Sequence, residues 1–422
     1  MKREFPILNY PGSKRNLLDF INKNMSKRIP EDKVLFDIFA GSGSVSYFYK
    51  DRFQIYANDA EKYSSVILNA LLNFKPVIEK EYLIEKINFH FNVNKNNILG
   101  IFEDWFKREE DTLLLGTPEE VEELYGEFPN VWKMSLLINN EIATIDKLKS
   151  LPFYLLFTTY YSGSYFGIKQ SAEIDSIRYA IETLKIKDET KCMLLSSLFF
   201  AMKEAIFSKD GHMAQPLNLG KNMDKLLKKR NISIMDKFIG KLYEFYSDDF
   251  ILSGQHNKVF NFTFEELLKK PEIFSNVGFI YADPPYTDMQ YSRYFHLLNT
   301  LVYYDYPEMS IYRGKLSKGL YTENRYQSPL SQKSQALNYQ IQFFEFCKQH
   351  KIGLGFSFAY PADIISQQTN RYVLNIFELI DQGKKIFGKN FEYFTQDYSH
   401  SNNRNSSSKK VLEYLLIYTP KF

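Results

Sequence analysis

Apolar residues occur in short, dense runs near the start of the chain. Residues 33–39 are mostly apolar with a β-branched and aromatic bias, and the glycine-rich stretch 40–44 follows at once. Residues 45–49 resume an apolar pattern, and a second apolar run at 54–59 ends on a carboxylate. Strand, tight turn, helix and strand in that order form a β-α-β unit. The pattern therefore predicts a parallel sheet.

From about residue 75 to residue 245 the pattern becomes helical. Leu, Ile, Phe, Lys and Glu recur at helical spacing, for example in residues 82–87 and 121–125. Residues 159–167 are polar and interrupted by glycine, so we do not expect one regular element there. We interpret the region as a mostly helical insertion. It contains a basic cluster made of Lys225, Lys228, Lys229 and Arg230.

Strand-like runs return after the helical region. One of them, residues 277–281, is followed by Asp283-Pro284-Pro285-Tyr286. Two prolines cannot continue a hydrogen-bond ladder, so we place Asp283 at the carboxyl end of a strand. The chain thus reads as one α/β domain, residues 1–75 and 246–422, interrupted by a helical insertion at 76–245. The other strand candidates are 250–252, 352–358 and 411–418, and the Ser- and Asn-rich stretch 399–410 is predicted to be a flexible loop.

Length and composition exclude several classes of protein. A chain of 422 residues favours two or three domains. The cysteines, Cys192 and Cys347, are too few for a disulfide scaffold or a Cys-based zinc module. No apolar run reaches about 18 residues and the basic start leads into Pro6, so we expect a cytoplasmic globular protein without a membrane span or secretory signal. The formal net charge of +3 is small, so any phosphate-binding surface must come from local clustering.

The glycine turn after the first strand is a candidate ligand site. Gly41 and Gly43 let the backbone approach a ligand and direct a helix N-terminus toward it. The dinucleotide fingerprint requires a third glycine, but this chain has Ser46 at that position. A turn without a ligand is therefore the alternative. Asp59, which closes the next strand, could accept hydrogen bonds from ribose hydroxyls or could cap the following helix.

The tetrapeptide Asp283 to Tyr286 gives the most specific chemical signal. The exocyclic amine of adenine is a poor nucleophile because its lone pair is delocalised into the ring. A carboxylate and a rigidly held backbone carbonyl that accept its two N–H bonds would favour a tetrahedral, nucleophilic nitrogen. A following aromatic ring can stack on an extruded base. The tetrapeptide therefore favours methyl transfer to a conjugated amine, and the alternative for the tetrapeptide alone is a proline-rich turn without a chemical role.

These motifs together resemble the Dam-like, alpha-group adenine-N6 DNA methyltransferases, which use S-adenosylmethionine (SAM). Residues 9–14, Asn-Tyr-Pro-Gly-Ser-Lys, match the family's first motif, residues 37–44 its glycine turn, and residues 283–286 its catalytic motif. Residues 290–298 and 398–401 show further similarity. The resemblance implies a Rossmann-like methyltransferase sheet, a target-recognition role for the insertion, and double-stranded DNA as the substrate. It also makes a separate cognate restriction endonuclease a possible partner.

The resemblance also implies roles for individual residues. Tyr10 and Lys14 would contact the methionine end of SAM, and Asp59 the ribose. One departure is that Gln255-His256-Asn257 stands where the family often has a carboxylate that binds the adenine amine of the cofactor. The catalytic candidates are Asp283, Pro284, Pro285 and Tyr286, and the cofactor-binding candidates are Tyr10, Pro11, Gly12, Lys14, Asp37, Phe39, Gly41, Gly43, Asp59 and Asp283, with no metal ligand among them.

Alternative functions and roles remain open at this point. A nicotinamide oxidoreductase would use the glycine turn, whereas an inactive DNA-binding subunit would keep only the fold. A methyltransferase of cytosine N4 or RNA would use the same acceptor geometry. His296 fits a structural or DNA-contacting role better than that of a base, and the cluster at 225–230 fits a solvated helix face or phosphate contact. Residues 161–167 and 312–326 are further candidates for DNA contact.

Overall fold

The computed structural model describes residues 4–8, 12–133, 135–138, 141–209, 211–323, 325–362, 370–399 and 410–421. Within these ranges the strands are β1 (Val34–Asp37), β2 (Ile55–Asn58), β3 (Leu137–Ile138), β4 (Glu141–Ile142), β5 (Lys258–Phe260), β6 (Val277–Ala282), β7 (Ile311–Tyr312), β8 (Lys315–Leu316), β9 (Gly353–Pro361), β10 (Phe391–Ser399) and β11 (Lys410–Tyr418).

Seven of these strands form one sheet in the order β10-β11-β9-β6-β1-β2-β5. Strands β9, β6, β1, β2 and β5 run parallel to one another. The strands β10 and β11 pair antiparallel, and β11 also pairs antiparallel with β9. The remaining four strands form two short hairpins, β3–β4 and β7–β8. This mostly parallel, seven-stranded sheet confirms the predicted Rossmann-like methyltransferase fold class.

Helices surround the sheet and fill the central part of the chain. They are α1 (Leu18–Met25), α2 (Ser44–Tyr49), α3 (Lys62–Asn73), α4 (Lys80–Leu115), α5 (Pro118–Glu127), α6 (Ile145–Lys149), α7 (Leu156–Tyr161), α8 (Ile168–Thr183), α9 (Asp188–Ala205), α10 (Met223–Arg230), α11 (Ile234–Phe245), α12 (Phe264–Leu268), α13 (His296–Tyr303), α14 (Ala336–Gln349) and α15 (Ile376–Phe387). No helix among the described residues is long and apolar enough to cross a membrane.

The two faces of the sheet are buried in separate cores because neighbouring residues of a strand point to opposite sides. Val34 and Phe36 of β1 pack with residues of α14 and α15. Leu35 of the same strand packs with residues of α1, α2 and α3. Every residue of β6 is buried, as expected for the centre of a parallel sheet covered on both faces.

The helical region from α4 to α11 packs around its own apolar core. Helix α4 packs on α8, and α9 packs on both α11 and α3. The same core also includes residues of α3 and α13, so it extends to the helices beside the sheet. The predicted helical character of residues 76–245 is therefore found, with the small hairpin β3–β4 as an addition. The domain boundaries at 75 and 245 stay predictions.

One strand prediction was wrong. Residues 250–252 form no strand; instead Phe250 packs its ring against Phe245, and the amide of Ile251 donates to the hydroxyl of Tyr47 at 2.9 Å. The sheet partner of β2 is β5, a short edge strand whose residues are only partly covered. Of the predicted loop 399–410, the structure assigns Ser399 and Lys410 to strands, and residues 400–409 lie outside the described residues.

Candidate active site

Three strands bring carboxylates to one edge of the sheet. The carboxyl ends of the neighbouring parallel strands β6, β1 and β2 carry or precede Asp283, Asp37 and Asp59. Parallel strands end at the same edge, which is where open α/β sheets bind ligands. All three residues line a cleft of about 1070 Å³, a volume that includes space open to solvent.

Most of the predicted site residues line this cleft. They are Gly12, Lys14, Asp37, Phe39, Gly41, Asp59, Asp283, Pro284, Pro285 and Tyr286. Gly43 is not among the lining residues, and Tyr10 and Pro11 lie outside the described residues. Sequence reasoning missed several other lining residues, among them Asn58, Glu61, Phe262 and Phe264. The cleft is also lined by Gln290 and Ser292, from the similar stretch 290–298, and by Tyr326, from the candidate DNA-contact stretch 312–326.

The glycine turn is tied to the end of β2 through Asp59. The backbone amide of Gly41 donates to one carboxylate oxygen of Asp59 at 2.9 Å, and the amide of Glu61 donates to the other at 2.9 Å. Glu61 is the N-cap residue of α3. Asp59 thus fixes both the turn and the start of the next helix, while its burial raises its pKa.

Gly43 serves the packing of the turn. Its φ of 77° lies in the left-handed region that favours glycine. A Cβ at this position would lie 2.9 Å from Cδ1 of Leu71 and 3.1 Å from Cδ2 of Leu68, both on α3. Gly43 therefore allows α2 to begin directly against α3.

Ser46 occupies the position where a dinucleotide fingerprint would have its third glycine. Its hydroxyl donates to Oδ2 of Asp37 at 2.7 Å. The other oxygen, Oδ1, is buried and has no hydrogen-bond partner among the described residues. Burial, together with the negative charges of Asp283 and Asp59, raises the pKa of Asp37 to about 7, although the bond from Ser46 opposes this. The serine therefore supports an acidic residue that faces the cleft.

Lys14 is buried between two carboxylates. Its Nζ lies 3.1 Å from Oδ1 of Asp283 and donates to Oε1 of Glu413 at 2.9 Å. The hydroxyl of Ser357 also donates to Oε1 of Glu413, at 2.6 Å. Burial alone would lower the pKa of Lys14, but Asp283 and Glu413 raise it well above its usual value. Lys14 is therefore a buried, ion-paired residue of the cleft and not a solvated surface lysine.

Glu413 was missed by sequence reasoning, although a signal existed. It is a fully buried acidic residue within the otherwise mostly apolar strand β11. A carboxylate there needs a cationic partner, because an isolated buried charge is costly. The partner is Lys14, which lies at the opposite end of the chain and could not be identified from sequence spacing.

Asp283 titrates near neutrality in this surrounding. Burial is the main cause that raises its pKa to about 7, and Glu413 adds to the effect while Lys14 opposes it. The prolines that follow line the cleft beside it. Lys14 therefore favours the ionised carboxylate, the form that accepts hydrogen bonds.

Tyr286 is held in a buried aromatic group next to Asp283. Its ring centroid lies 5.9 Å from that of Phe358 and 6.3 Å from that of Tyr372, and the Tyr372 ring is inclined by only 21°. Its carbonyl accepts from the amide of Val373 at 3.1 Å. Nζ of Lys14 lies 5.5 Å from the centre of its ring. The phenol ring is thus fixed on the wall of the cleft.

Glu61 adds a further acidic group to the cleft. Burial and the charge of Asp59 raise its pKa to about 7, whereas the hydrogen bond from Asn299 and the charge of Arg325 oppose the shift. Nδ2 of Asn299 donates to Oε2 of Glu61 at 2.6 Å, and Oδ1 of Asn299 accepts from the amide of Tyr63 at 2.9 Å. Helix α13 thereby supports this end of the cleft.

Residues 255–257 precede β5, and Asn257 has a structural role there. Oδ1 of Asn257 accepts from the amide of Ile55 at 2.8 Å, and its Nδ2 donates to the carbonyl of Leu72 at 3.1 Å. The residues at the carboxyl end of β5 are Asn261 and Phe262. Nδ2 of Asn261 donates to the carbonyl of Asp59 at 2.8 Å, and Phe262 lines the cleft.

His296 is a structural residue. It is buried, and its Nε2 lies 3.0 Å from the carbonyl oxygen of Met213. Burial lowers the pKa of His296 to about 3, so the ring is neutral at physiological pH. It links the helical region to α13, in agreement with the structural reading of the sequence.

The basic cluster on α10 is mostly turned inward. Nε of the buried Arg230 donates to the hydroxyl of Tyr125 at 3.1 Å, and Nζ of Lys225 donates to the carbonyl of Ser208 at 2.8 Å. Lys229 donates to the carbonyl of Glu204, which leaves Lys228 as the exposed member. The cluster therefore attaches α10 to the helical core and is not a phosphate-binding patch.

The predicted DNA-contacting stretch 161–167 is also part of the core. Tyr161 and Tyr165 are fully buried, and α7 extends through Tyr161. The hydroxyl of Tyr165 lies 2.9 Å from the carbonyl oxygens of Met213 and Gly319. The stretch therefore has no exposed aromatic ring to offer to a base.

Comparison with known proteins agrees with this geometry. The family model described as D12 class N6 adenine-specific DNA methyltransferase matches residues 10–102 and 130–352. The matched segments include the glycine turn, most of the helical region and the Asp283 motif, and together they cover more than half of the chain.

Similar proteins are modification enzymes. The chain is 24% identical over 418 residues to "Modification methylase LlaI" of Lactococcus lactis subsp. lactis, covering 98% of this chain and 55% of the relative. It is 26% identical over 321 residues to "Type II methyltransferase M.FokI" of Planomicrobium okeanokoites, covering 75% and 40%. It is 25% identical over 313 residues to "Type II methyltransferase M.NlaIII" of Neisseria lactamica, covering 71% and 70%. The chain thus spans only about half the length of the first two relatives.

Proposed function

Because the chain belongs to the D12 class N6 adenine-specific DNA methyltransferase family, we propose that it transfers a methyl group from SAM to the N6 amine of an adenine in double-stranded DNA. Use of SAM is general in methyltransferases, and the family acts on DNA. The observation that carries the proposal is Asp283, which lies at a strand end in a cleft with two further strand-end carboxylates and an ion-paired, buried Lys14.

The residues of the cleft fit SAM chemically. SAM supplies a methyl group activated by a positively charged sulfonium centre. The cleft is rich in carboxylates, and the buried Oδ1 of Asp37 lacks a hydrogen-bond partner among the described residues. Asp59 and Glu61 would accept hydrogen bonds from ribose hydroxyls, whereas Phe39 and Phe264, with ring centroids 5.4 Å apart, offer apolar surface for adenine. Gly12 and Gly41 leave room for close approach of the ligand.

Asp283 would activate the target amine. Its carboxylate accepts one N–H of the amine, and the carbonyl of Pro284 accepts the other, which favours a tetrahedral nitrogen with an available lone pair. Proline fixes φ, so Pro284 and Pro285 keep this backbone rigid. Asp283, whose pKa is raised to about 7, is also suited to take up the proton that the methylated nitrogen releases.

Tyr286 would stack on the extruded adenine. Its ring is fixed by Phe358 and Tyr372, so little conformational entropy is lost when a base stacks on it. Extrusion is required because a target nitrogen inside the duplex cannot reach a cleft of this kind. The helical region would then bind the duplex around the extruded base.

A radiolabel assay tests the proposed function. Purified protein is incubated with methyl-labelled SAM and with duplex DNA, single-stranded DNA or RNA, and the labelled base is identified by digestion and chromatography. Duplex DNA should carry label in N6-methyladenine, and Asp283→Ala should lose about 100-fold or more of the rate. The matched control is Asp19→Asn, an exposed carboxylate on α1. Label in RNA or in cytosine, or an active Asp283→Ala variant, would contradict the proposal.

We also propose that the chain acts beside a separate restriction endonuclease, since its relatives are named a modification methylase and type II methyltransferases. DNA from cells that express the chain should then resist an endonuclease whose recognition sequence contains the methylated motif. We propose in addition that the protein acts in the cytoplasm, as the sequence predicts.

A further inference from the structure

Two arginines lie on the same aromatic ring near the cleft. The guanidinium carbon of Arg293 lies 5.6 Å from the ring centre of Tyr321, and that of Arg325 lies 4.5 Å from it. The ring itself is fixed, because the hydroxyl of Tyr321 donates to the carbonyl of Ala214 at 2.6 Å and its amide donates to the hydroxyl of Ser317 at 2.9 Å. The aromatic ring thus brings two positive charges close together.

The negative charge of Glu61 favours the charged form of Arg325, but the hydrogen-bonding capacity of Arg325 is not satisfied within the described part of the chain. Nε and Nη1 of Arg325 are buried and have no hydrogen-bond acceptor among the described residues. Burial and the charge of Arg293 lower the pKa of Arg325, although a guanidinium stays protonated in proteins. Leaving buried charged donors unpaired next to a like charge costs free energy, and an anion between the two guanidiniums would recover it.

Residues next to the two arginines in the sequence line the cleft. Gln290 and Ser292, which precede Arg293, line the cleft, and so does Tyr326, which follows Arg325. Oε1 of Gln290 and Oγ of Ser292 are buried without a hydrogen-bond partner among the described residues. The polar groups around the arginines are therefore those of a binding site and not of a satisfied core.

The surroundings of the pair favour a large, extended anion. Tyr321 contacts Ala214 of the helical region, so the pair lies where the helical region contacts the segment that follows α13. The nearby hairpin β7–β8 exposes Ile311 and Tyr312, which are 67% and 68% exposed, and carries Arg313 at its turn. A basic and aromatic surface that leads away from the cleft suits a nucleic-acid backbone.

We propose that Arg293 and Arg325 together bind a backbone phosphate of the DNA strand that carries the target adenine. The inference rests on the proposed function and deepens it. The exposed Arg293 would meet the phosphate first, and the half-buried Arg325 would hold it beside the cleft, which positions the extruded nucleotide over Asp283.

Binding measurements with charge variants test this inference. The variants are Arg293→Gln, Arg325→Gln and the charge-preserving Arg325→Lys. The matched control is Arg52→Gln, which removes an exposed arginine that precedes β2 and so lies at the opposite edge of the sheet. Fluorescence anisotropy gives Kd for a duplex as a function of salt concentration. Calorimetry of SAM binding and thermal unfolding confirm that each variant keeps its fold and cofactor site.

Each Arg→Gln variant should weaken duplex binding by about 10- to 100-fold and reduce the slope of log Kd against log salt by about one. Arg325→Lys should keep the slope but lose part of the affinity, because an ammonium cannot form the bidentate contact. SAM binding should not change. Equal Kd values and slopes for Arg325→Gln and Arg52→Gln would overturn the inference, as would loss of SAM binding alone, which would assign the pair to a carboxylate of the cofactor.

The outcome can be separated from that of the proposed function. If the wild-type protein methylates no DNA, the proposed function fails, and the phosphate contact is then judged from the salt slope on a random-sequence duplex. If the wild-type protein methylates DNA and the arginine variants bind the duplex like the control, only the phosphate contact fails.

Discussion

Replacing Glu413 by Gln should shift the pH dependence of the methyl transfer to lower pH. Glu413 and Asp283 share the buried Nζ of Lys14, which lies 2.9 Å from one carboxylate and 3.1 Å from the other. The negative charge of Glu413 raises the pKa of Asp283. Gln can still accept the hydrogen bonds from Lys14 and Ser357, so the substitution removes the charge and keeps the geometry.

The size of the shift follows from the distances. Two oxygens that both lie within about 3 Å of the same nitrogen are at most about 6 Å apart, so at an effective dielectric constant of about 20 their repulsion is about 3 kcal/mol or more. One pKa unit corresponds to about 1.4 kcal/mol. We therefore expect the pKa of Asp283 to fall by about two units from its value of about 7 when Glu413 becomes Gln.

The assay is the pH profile of kcat/KM, whose acid limb reports the group of the free enzyme that must be ionised. Asp283 must be ionised to accept the amine N–H, so activity should rise with pH through its pKa. The limb should lie near pH 7 in the wild-type protein and about two units lower in Glu413→Gln. The control Glu392→Gln changes a half-exposed carboxylate paired with Arg28 and should leave the limb in place. If the acid limb of a folded Glu413→Gln protein stayed at the same pH or moved to higher pH, the assigned charge coupling would be refuted.

Three further substitutions test other parts of the structure by chemical or thermal unfolding. Gly43→Ala should lower the free energy of unfolding by about 1–3 kcal/mol, because alanine would need a positive φ and its Cβ would lie 2.9 Å from Cδ1 of Leu71. An unchanged free energy of unfolding would contradict the packing role. Arg230→Gln should lower the free energy of unfolding by about 1.5–3 kcal/mol. If this variant instead changed how strongly DNA binding depends on salt, its basic cluster would contact phosphate. The folded-state pKa of Glu61, about 7, lies above the unfolded value. Protonation of Glu61 therefore stabilises the folded state at acidic pH, and this stabilisation is lost as the pH rises toward and through 7. Glu61→Gln should therefore raise the melting temperature at pH 8 but not at pH 4, and an equal gain at both would exclude this titration.

The sequence was sufficient for the central strands. β1, β6 and β9 lie in dense apolar runs that are followed by glycine or proline, a pattern that is typical of buried strands. β5 was misplaced because it is a three-residue edge strand with partly exposed side chains, so it lacks a long apolar run. The nearby Phe250 is apolar because it packs on aromatic side chains, not because it joins the sheet.

The site was predictable where it follows strand ends and unpredictable where it depends on distant contacts. Asp37, Asp59 and Asp283 could be placed together because parallel strands end at one edge. Glu413 could not be paired with Lys14, since 399 positions separate them and no local pattern connects them. Arg230 appeared to be a surface charge because its buried acceptors come from other parts of the helical region.

The most direct test of the central claim is sequencing-based mapping of N6-methyladenine in DNA from cells that express the chain, with an Asp283→Ala culture as the control. We expect methyladenine at one short sequence motif in the wild-type culture and none in the Asp283→Ala culture. The absence of methyladenine in both cultures, with soluble protein that binds SAM, would contradict the assignment of DNA adenine as the substrate. The same motif methylated in both cultures would contradict the role of Asp283.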